Sequence, residues 1–239
     1  TPQANTTVEA EFSILLPPKI GMIASRLTSK KSSMMERLVQ YIEQIEENLD
    51  NFANSPLKAA IFACTGASYF YEPVQEEKYL NEIASGRGYP IVSAATAISD
   101  ALKVIQPKKI GIISPYGDEL HSKALSYWSK NSYTIEGVKR IEQAKKGFHP
   151  IYSLQSVELE TCFEKVDGNN LNVIVILGTG FPTLKTILAA DSNLIVISAN
   201  LCLMWRACLI IENQKPSLEN LSNWFSGKIW RERFLLRNL

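Results

Sequence analysis

The sequence is poor in the residues that build metal centres. Its 239 residues hold two histidines, His121 and His149, far apart in the chain. Its four cysteines, Cys64, Cys162, Cys202 and Cys208, form no Cys-x-x-Cys pair. No metal site is expected from so sparse a ligand set. An excess of charge is missing too: 25 Lys and Arg stand against 24 Asp and Glu, a net charge of +1. Duplex-binding surfaces neutralise phosphates with a basic excess, so the balance argues against a nucleic-acid partner. No basic-apolar-small leader opens the chain, and no apolar run reaches membrane-spanning length. The longest candidate, residues 194–203, is broken by Ser198 and Asn200. With no disulfide framework called for in a chain of this size, a reducing, cytoplasmic setting is expected, away from membranes.

What is present is an ordinary globular composition, 46% hydrophobic and 21% charged, enough for one domain or two smaller ones. Residues 59–68, Ala-Ala-Ile-Phe-Ala-Cys-Thr-Gly-Ala-Ser, run from an apolar strand pattern into a turn and a helix start. That places Cys64 at the carboxyl end of a strand, where open α/β sheets bind ligands. Residues 172–180, Asn-Val-Ile-Val-Ile-Leu-Gly-Thr-Gly, repeat the grammar with Gly178 in place of the cysteine. Further strands are expected at 20–26, 89–93, 110–116, 133–138 and 193–198. Helices are expected after residue 6 or 7, where a threonine caps and Glu9 and Glu11 face the positive dipole end. Others are expected over 30–51, 74–85, 94–105, 119–131, 153–166, 181–190 and 200–211, with one or two more over 218–239. Residues 143–150 read as a loop. Strands alternating with helices imply mostly parallel sheets covered on both faces.

Four segments, taken together and in order, carry a family resemblance. They are Asn5-Thr6-Thr7-Val8-Glu9, Ala63-Cys64-Thr65-Gly66, Ser114-Pro115-Tyr116-Gly117-Asp118-Glu119 and Ser198-Ala199-Asn200. The chain, from Thr1 to about Leu209, resembles the aspartate/glutamate racemase superfamily on its maleate isomerase and arylmalonate decarboxylase branch. The resemblance implies two pseudo-symmetric α/β lobes with the active site in the cleft between them. Lobe 1 would comprise residues 1–94 plus 199–239, and lobe 2 residues 95–198. Relatives usually have a strand before the Asn-Thr loop, so one is expected upstream of Thr1. Cys64 matches the first-lobe cysteine, which in maleate isomerases attacks the substrate double bond. Gly178 falls where the second-lobe cysteine belongs, and Gly66 where many relatives have serine. Asn5, Thr65 and Tyr116 match positions that bind a substrate carboxylate. The amides of Gly66, Thr179 and Gly180 would complete a dioxyanion cradle, and Asn200 would border it. The family expectation is a homodimer acting on a small carboxylate without cofactor.

One thiol restricts the chemistry. Racemisation needs a group on each face of the substrate, so two-base proton exchange is expected to fail with Gly178 opposite Cys64. Restoring a cysteine at 178 is the expected route back to it. Two reactions survive: cis–trans isomerisation by addition of Cys64 to an activated alkene, or decarboxylation with Cys64 as proton donor. A relative that binds a carboxylate without turnover is the third reading. A helix N-terminus and nearby N–H donors are expected to favour the Cys64 thiolate. Cys162, Cys202 and Cys208 lie on helical patterns and read as small buried hydrophobes. Asn5 reads equally as a loop cap, and Tyr116, after Pro115, equally as a turn residue with its ring in the core. His121 and His149 read as surface residues. Trp224, Phe225, Trp230 and Phe234 read as core or subunit contact.

Overall fold

In a computed structural model, which describes residues 1–130, 132–142, 150–164, 171–191 and 193–237, the chain builds two parallel sheets among helices. The first part runs α1 (Thr7–Leu15), α2 (Met34–Glu43), α3 (Ile45–Leu49), β1 (Ala60–Phe62), α4 (Thr65–Ser68), α5 (Pro73–Arg87) and β2 (Ile91–Ser93). The second runs α6 (Ala94–Ile105), β3 (Lys109–Ser114), α7 (Asp118–Trp128), β4 (Thr134–Arg140), α8 (Ser156–Glu164), β5 (Val173–Ile176), α9 (Leu184–Ala189) and β6 (Ile195–Ser198). The chain closes with α10 (Ala199–Ile211), α11 (Leu218–Phe225) and α12 (Arg231–Arg237).

Strand β1 pairs with β2, and the larger sheet has the order β4-β3-β5-β6, parallel throughout. β5 is buried at every position, as expected of a strand covered on both faces. Ser93 and Ser198 each end a strand and cap the following helix, accepting from the N–H of Thr96 and Leu201. Because both residues do two jobs, each strand passes to its helix without a loop. α6 and α10 pack against each other, and α10 is buried on nearly all sides. Pro73 opens α5 and Gly88, at φ +77°, ends it. The C-terminal aromatics join the core: Trp224 and Trp230 are buried, and Trp230 donates its indole N–H to the Trp224 carbonyl. No helix among the described residues is long and apolar enough to cross a membrane.

Several expectations need correction. Residues 20–26 form no strand; pairing beside them is limited to a bridge between Pro2 and Leu27. An apolar cavity of about 450 Å³ is lined by this segment and by β1. The helix expected over 30–51 starts later and is divided at Gln44 into α2 and α3, ending in a 3₁₀ turn, Asp50–Phe52. α1 is capped by Asn5, whose Oδ1 accepts from the N–H groups of Thr7 and Val8 at 3.1 and 3.2 Å. Neither threonine supplies that bond. The helix expected over 181–190 opens only at Leu184. His121, expected at the surface, is half-buried. His149 and most of the 143–150 loop lie outside the described residues.

Candidate active site

The carboxyl ends of β1, β3 and β5 converge on a cavity of about 300 Å³. β1 delivers Cys64, Thr65 and Gly66; β3 delivers Pro115 and Tyr116; β5 delivers Gly178, Thr179 and Gly180. This is the position at which parallel α/β sheets bind ligands, because helix starts and free amides cluster there. Much of the remaining wall is apolar, from Met34, Met35, Leu38, Leu120, Ile151 and Tyr152. These residues were not anticipated as site residues. Met34 and Leu38 carry only the helical period of a core face, which does not distinguish a core from a cavity wall.

Cys64 is buried, yet it borders the cavity. Burial pushes its thiol up to about 11, while the backbone N–H groups of Ala67 and Gly66 pull the other way. Desolvation therefore outweighs the amides, and the expected thiolate is corrected to a protonated thiol at neutral pH. Alkylation of the unliganded protein by iodoacetamide should accordingly be slow at pH 7. Its rate on Cys64 should climb about tenfold per pH unit until near pH 11, as followed by intact mass. The ordinary thiol value is 9.0, below the folded value, so folding retains the proton. That contribution to stability is complete below pH 9 and is lost as the pH rises toward 11.

Thr65 and Tyr116 meet across the cavity wall, their hydroxyl oxygens 2.7 Å apart. Tyr116 is buried, as a residue with its ring in the core would be, and also lines the cavity. Gly178 adopts φ +88°, and a Cβ built there would lie 2.8 Å from Pro115 Cγ and 3.1 Å from Ile151 Cδ1. At Gly180 a Cβ would meet the Tyr152 ring at 2.5 Å. The Gly178 and Gly180 positions are therefore closed in by Pro115, Ile151 and Tyr152.

Asn5 and Asn200 stand behind the wall rather than in it. Both are fully buried. Asn5 Nδ2 donates to Thr179 Oγ1 at 3.0 Å, and Thr179 Oγ1 donates to the Ala63 carbonyl at 3.0 Å. Asn200 Nδ2 donates to the Thr179 carbonyl at 3.1 Å and to Glu11 Oε2 at 2.8 Å. Both Nδ2 groups bond Thr179, tying the Gly178–Gly180 turn to α1, α10 and the end of β1. Sequence reasoning did not find Glu11 as a buried member of this group. It also accepts from the N–H groups of Thr183 and Leu184 at the start of α9 and from the Thr183 hydroxyl. Burial raises its pKa and these donors oppose the rise. The missed signal was its place on the face of α1 shared by Val8, Phe12 and Leu15. Glu11→Ala would strand these donors, and should cost about 3 kcal/mol. Thermal unfolding should then fall by roughly 6–12 °C.

Cys162, Cys202 and Cys208 are buried and away from the cavity. Burial pushes the thiols of Cys202 and Cys208 up, that of Cys208 to about 12. They are small core residues, as expected. Among the described residues no group of three or more His, Cys, Asp or Glu is arranged to hold a metal ion.

Fold and cavity together define a two-lobed α/β protein with one thiol and one glycine turn, each after a strand end, bordering the same cavity. The family model for arylmalonate decarboxylase matches residues 1–220, and the chain belongs to that family. A curated maleate isomerase from Geobacillus stearothermophilus is 27% identical over 138 residues. That match takes in 53% of this chain and 55% of the relative, so it spans about half the length of each. Among solved structures, a cysteine-to-alanine variant of the maleate isomerase Iso from Pseudomonas putida S16, bound to maleate, superposes with a TM-score of 0.78. Identity there is 19% over 95% of both chains. A maleate cis–trans isomerase from Nocardia farcinica, a cysteine-to-serine variant carrying a covalently bound succinylcysteine intermediate, gives 0.75 at 19% identity. It covers 89% of this chain and 90% of the other.

Proposed function

We propose that this protein is a cofactor-independent isomerase of a small cis-alkenedioate of the maleate type, with Cys64 adding to the double bond. The observation that carries the reading is Cys64 itself, the one cysteine bordering a cavity where three strand ends meet. The maleate isomerase relatives support the substrate class, and the succinylcysteine of the Nocardia farcinica protein supports thiol addition. On this reading the cavity is the cleft between residues 1–94 with 199–239 and residues 95–198.

The proposed step is addition of S–H across the alkene. Sulfur bonds to one carbon, the proton to the other, and the π bond is lost. Rotation about the resulting single bond and loss of the same two groups leave the trans isomer. Charge that develops on the substrate carboxylate is met by the Thr65 and Tyr116 hydroxyls and by the Gly66, Thr179 and Gly180 amides. Asn5 and Asn200 act from behind, by holding the Thr179 turn.

A second reading is favoured by the protonated thiol and by the family itself. A thiol held near 11 is suited to giving a proton, which is the role of Cys64 in decarboxylation of a malonate-type acid. Incubation with maleate separates the two. Fumarate formation and a succinyl-sized mass increment on the Cys64 peptide are expected. Carbon dioxide release from arylmalonates without fumarate would replace the first reading with the second. Carboxylate binding without either product would make the protein a silent relative.

A further inference from the structure

The buried carboxylate of Glu11 has no part in the proposed chemistry, yet one side chain links it to the cavity wall. Glu11 lies on α1 and Asn200 on α10, and neither borders the cavity. Asn200 Nδ2 donates both of its protons, one to Glu11 Oε2 at 2.8 Å and one to the Thr179 carbonyl at 3.1 Å. Asn200 Oδ1 is buried and has no hydrogen-bond partner among the described residues. An amide free to choose would not leave its oxygen so.

Glu11 removes the choice. Its Oε1 accepts from the Thr183 and Leu184 N–H groups, which can only donate, so Oε2 is left facing Asn200 as an acceptor. Turning the Asn200 amide over would set Oδ1 against both Glu11 Oε2 and the Thr179 carbonyl, oxygen on oxygen. Nδ2 is therefore pinned on Thr179, at the cost of the unpartnered Oδ1. The Thr179–Gly180 peptide is trans and planar, so the Gly180 N–H points opposite to the carbonyl that Asn200 holds. That carbonyl faces Asn200, behind the wall, which turns the N–H to the cavity that Gly180 lines. No backbone acceptor among the described residues takes this N–H. Gly180 has no Cβ to resist the opposite setting of the peptide, which would aim the Thr179 oxygen at a bound anion.

We propose that Glu11 is a positioning residue: through Asn200 it sets the Thr179–Gly180 peptide so that the Gly180 N–H, and not the Thr179 oxygen, meets a carboxylate in the cavity. The inference rests on the reading of this cavity as a carboxylate site and adds a residue that never touches the ligand.

The test uses succinate, a dicarboxylate with no double bond to react. The chain has two Thr-Gly pairs, 65–66 and 179–180, so labelling threonine at its carbonyl carbon and glycine at its nitrogen isolates the Gly66 and Gly180 amide resonances. Thr65→Ser removes one of them and so assigns both. In wild-type protein the Gly180 and Gly66 resonances should both shift on titration. In Glu11→Gln the side-chain oxygen stays on the Thr183 and Leu184 N–H groups and an NH2 faces Asn200, whose amide then turns over and deserts Thr179. The Gly180 shift should be lost at saturation while the Gly66 shift persists, and succinate should bind about tenfold more weakly by calorimetry. Asn200→Ala, which leaves Glu11 its Thr183 and Leu184 donors, should give the same selective loss. A full Gly180 shift in either variant, or equal losses at Gly66 and Gly180, would overturn the proposal. So would a Gly180 resonance that stays put in wild-type protein while Gly66 moves, a reading that needs no variant to fold and leaves the carboxylate site standing. Both shifts without turnover of maleate would remove the isomerase reading and leave the role of Glu11 in place. Failure of every carboxylate to bind would remove both.

Discussion

Cys64→Ala should abolish product formation, with a loss of ~10⁴-fold or more, because it removes the group that forms the covalent bond. The fold should barely respond. The side chain is buried, so losing one sulfur costs about 1 kcal/mol and lowers the unfolding midpoint by roughly 2–4 °C. Product formation measured beside thermal unfolding separates the two effects. Retention of activity within tenfold of wild type would end the assignment of Cys64, whichever reaction is catalysed. Cys162→Ala and Cys208→Ala should leave turnover unchanged, since neither borders the cavity.

Gly178→Cys should fail to build a second base and should destabilise the protein. The backbone there, at φ +88°, lies where a side chain costs roughly 1–2 kcal/mol. The new Cβ would stand 2.8 Å from Pro115 Cγ, adding an overpacking cost of about 1–3 kcal/mol. Unfolding should fall by roughly 5–15 °C. Gly178→Ala should lose nearly as much, because the obstacle is met at Cβ and not at sulfur. Pro115→Ala in the same chain should recover part of the loss, since it removes the atom in the way. Gly178→Ala with wild-type stability would show that the turn can relax. A cysteine at 178, the change expected to open a route to racemisation, therefore meets Pro115 and Ile151 already at its Cβ.

Much of the architecture was legible because it rests on short-range rules. Residues 94–105 read as a helix and form α6 over that same span, since their small apolar residues repeat at helical spacing and Ser93 caps the start. Residues 173–176 read as a buried strand and are one. Residues 20–26 carry an equally apolar pattern yet make no strand: a strand needs a bonded neighbour, and the pairing described beside them is limited to the Pro2–Leu27 bridge. Asn5 shows the same limit at the site. Its residue type suits a cap or a ligand group equally, and only its bond to Thr179, 174 positions away, places it behind the cavity wall. Glu11 was invisible for a related reason: its partners, Thr183, Leu184 and Asn200, are brought to it by packing alone.

The sequence by itself determined the alternation of strands and helices, the placing of Cys64 and Gly178 at matching strand ends, and the family. These follow from periodicity, capping residues and local motif order, all of which act within a few positions. Tertiary structure alone decided that burial raises the pKa of the thiol, that a Cβ at Gly178 would meet Pro115, and which polar groups line the cavity. Each of those depends on burial and on partners distant in the chain, whose effect on a charge or a Cβ is set only once the lobes have packed.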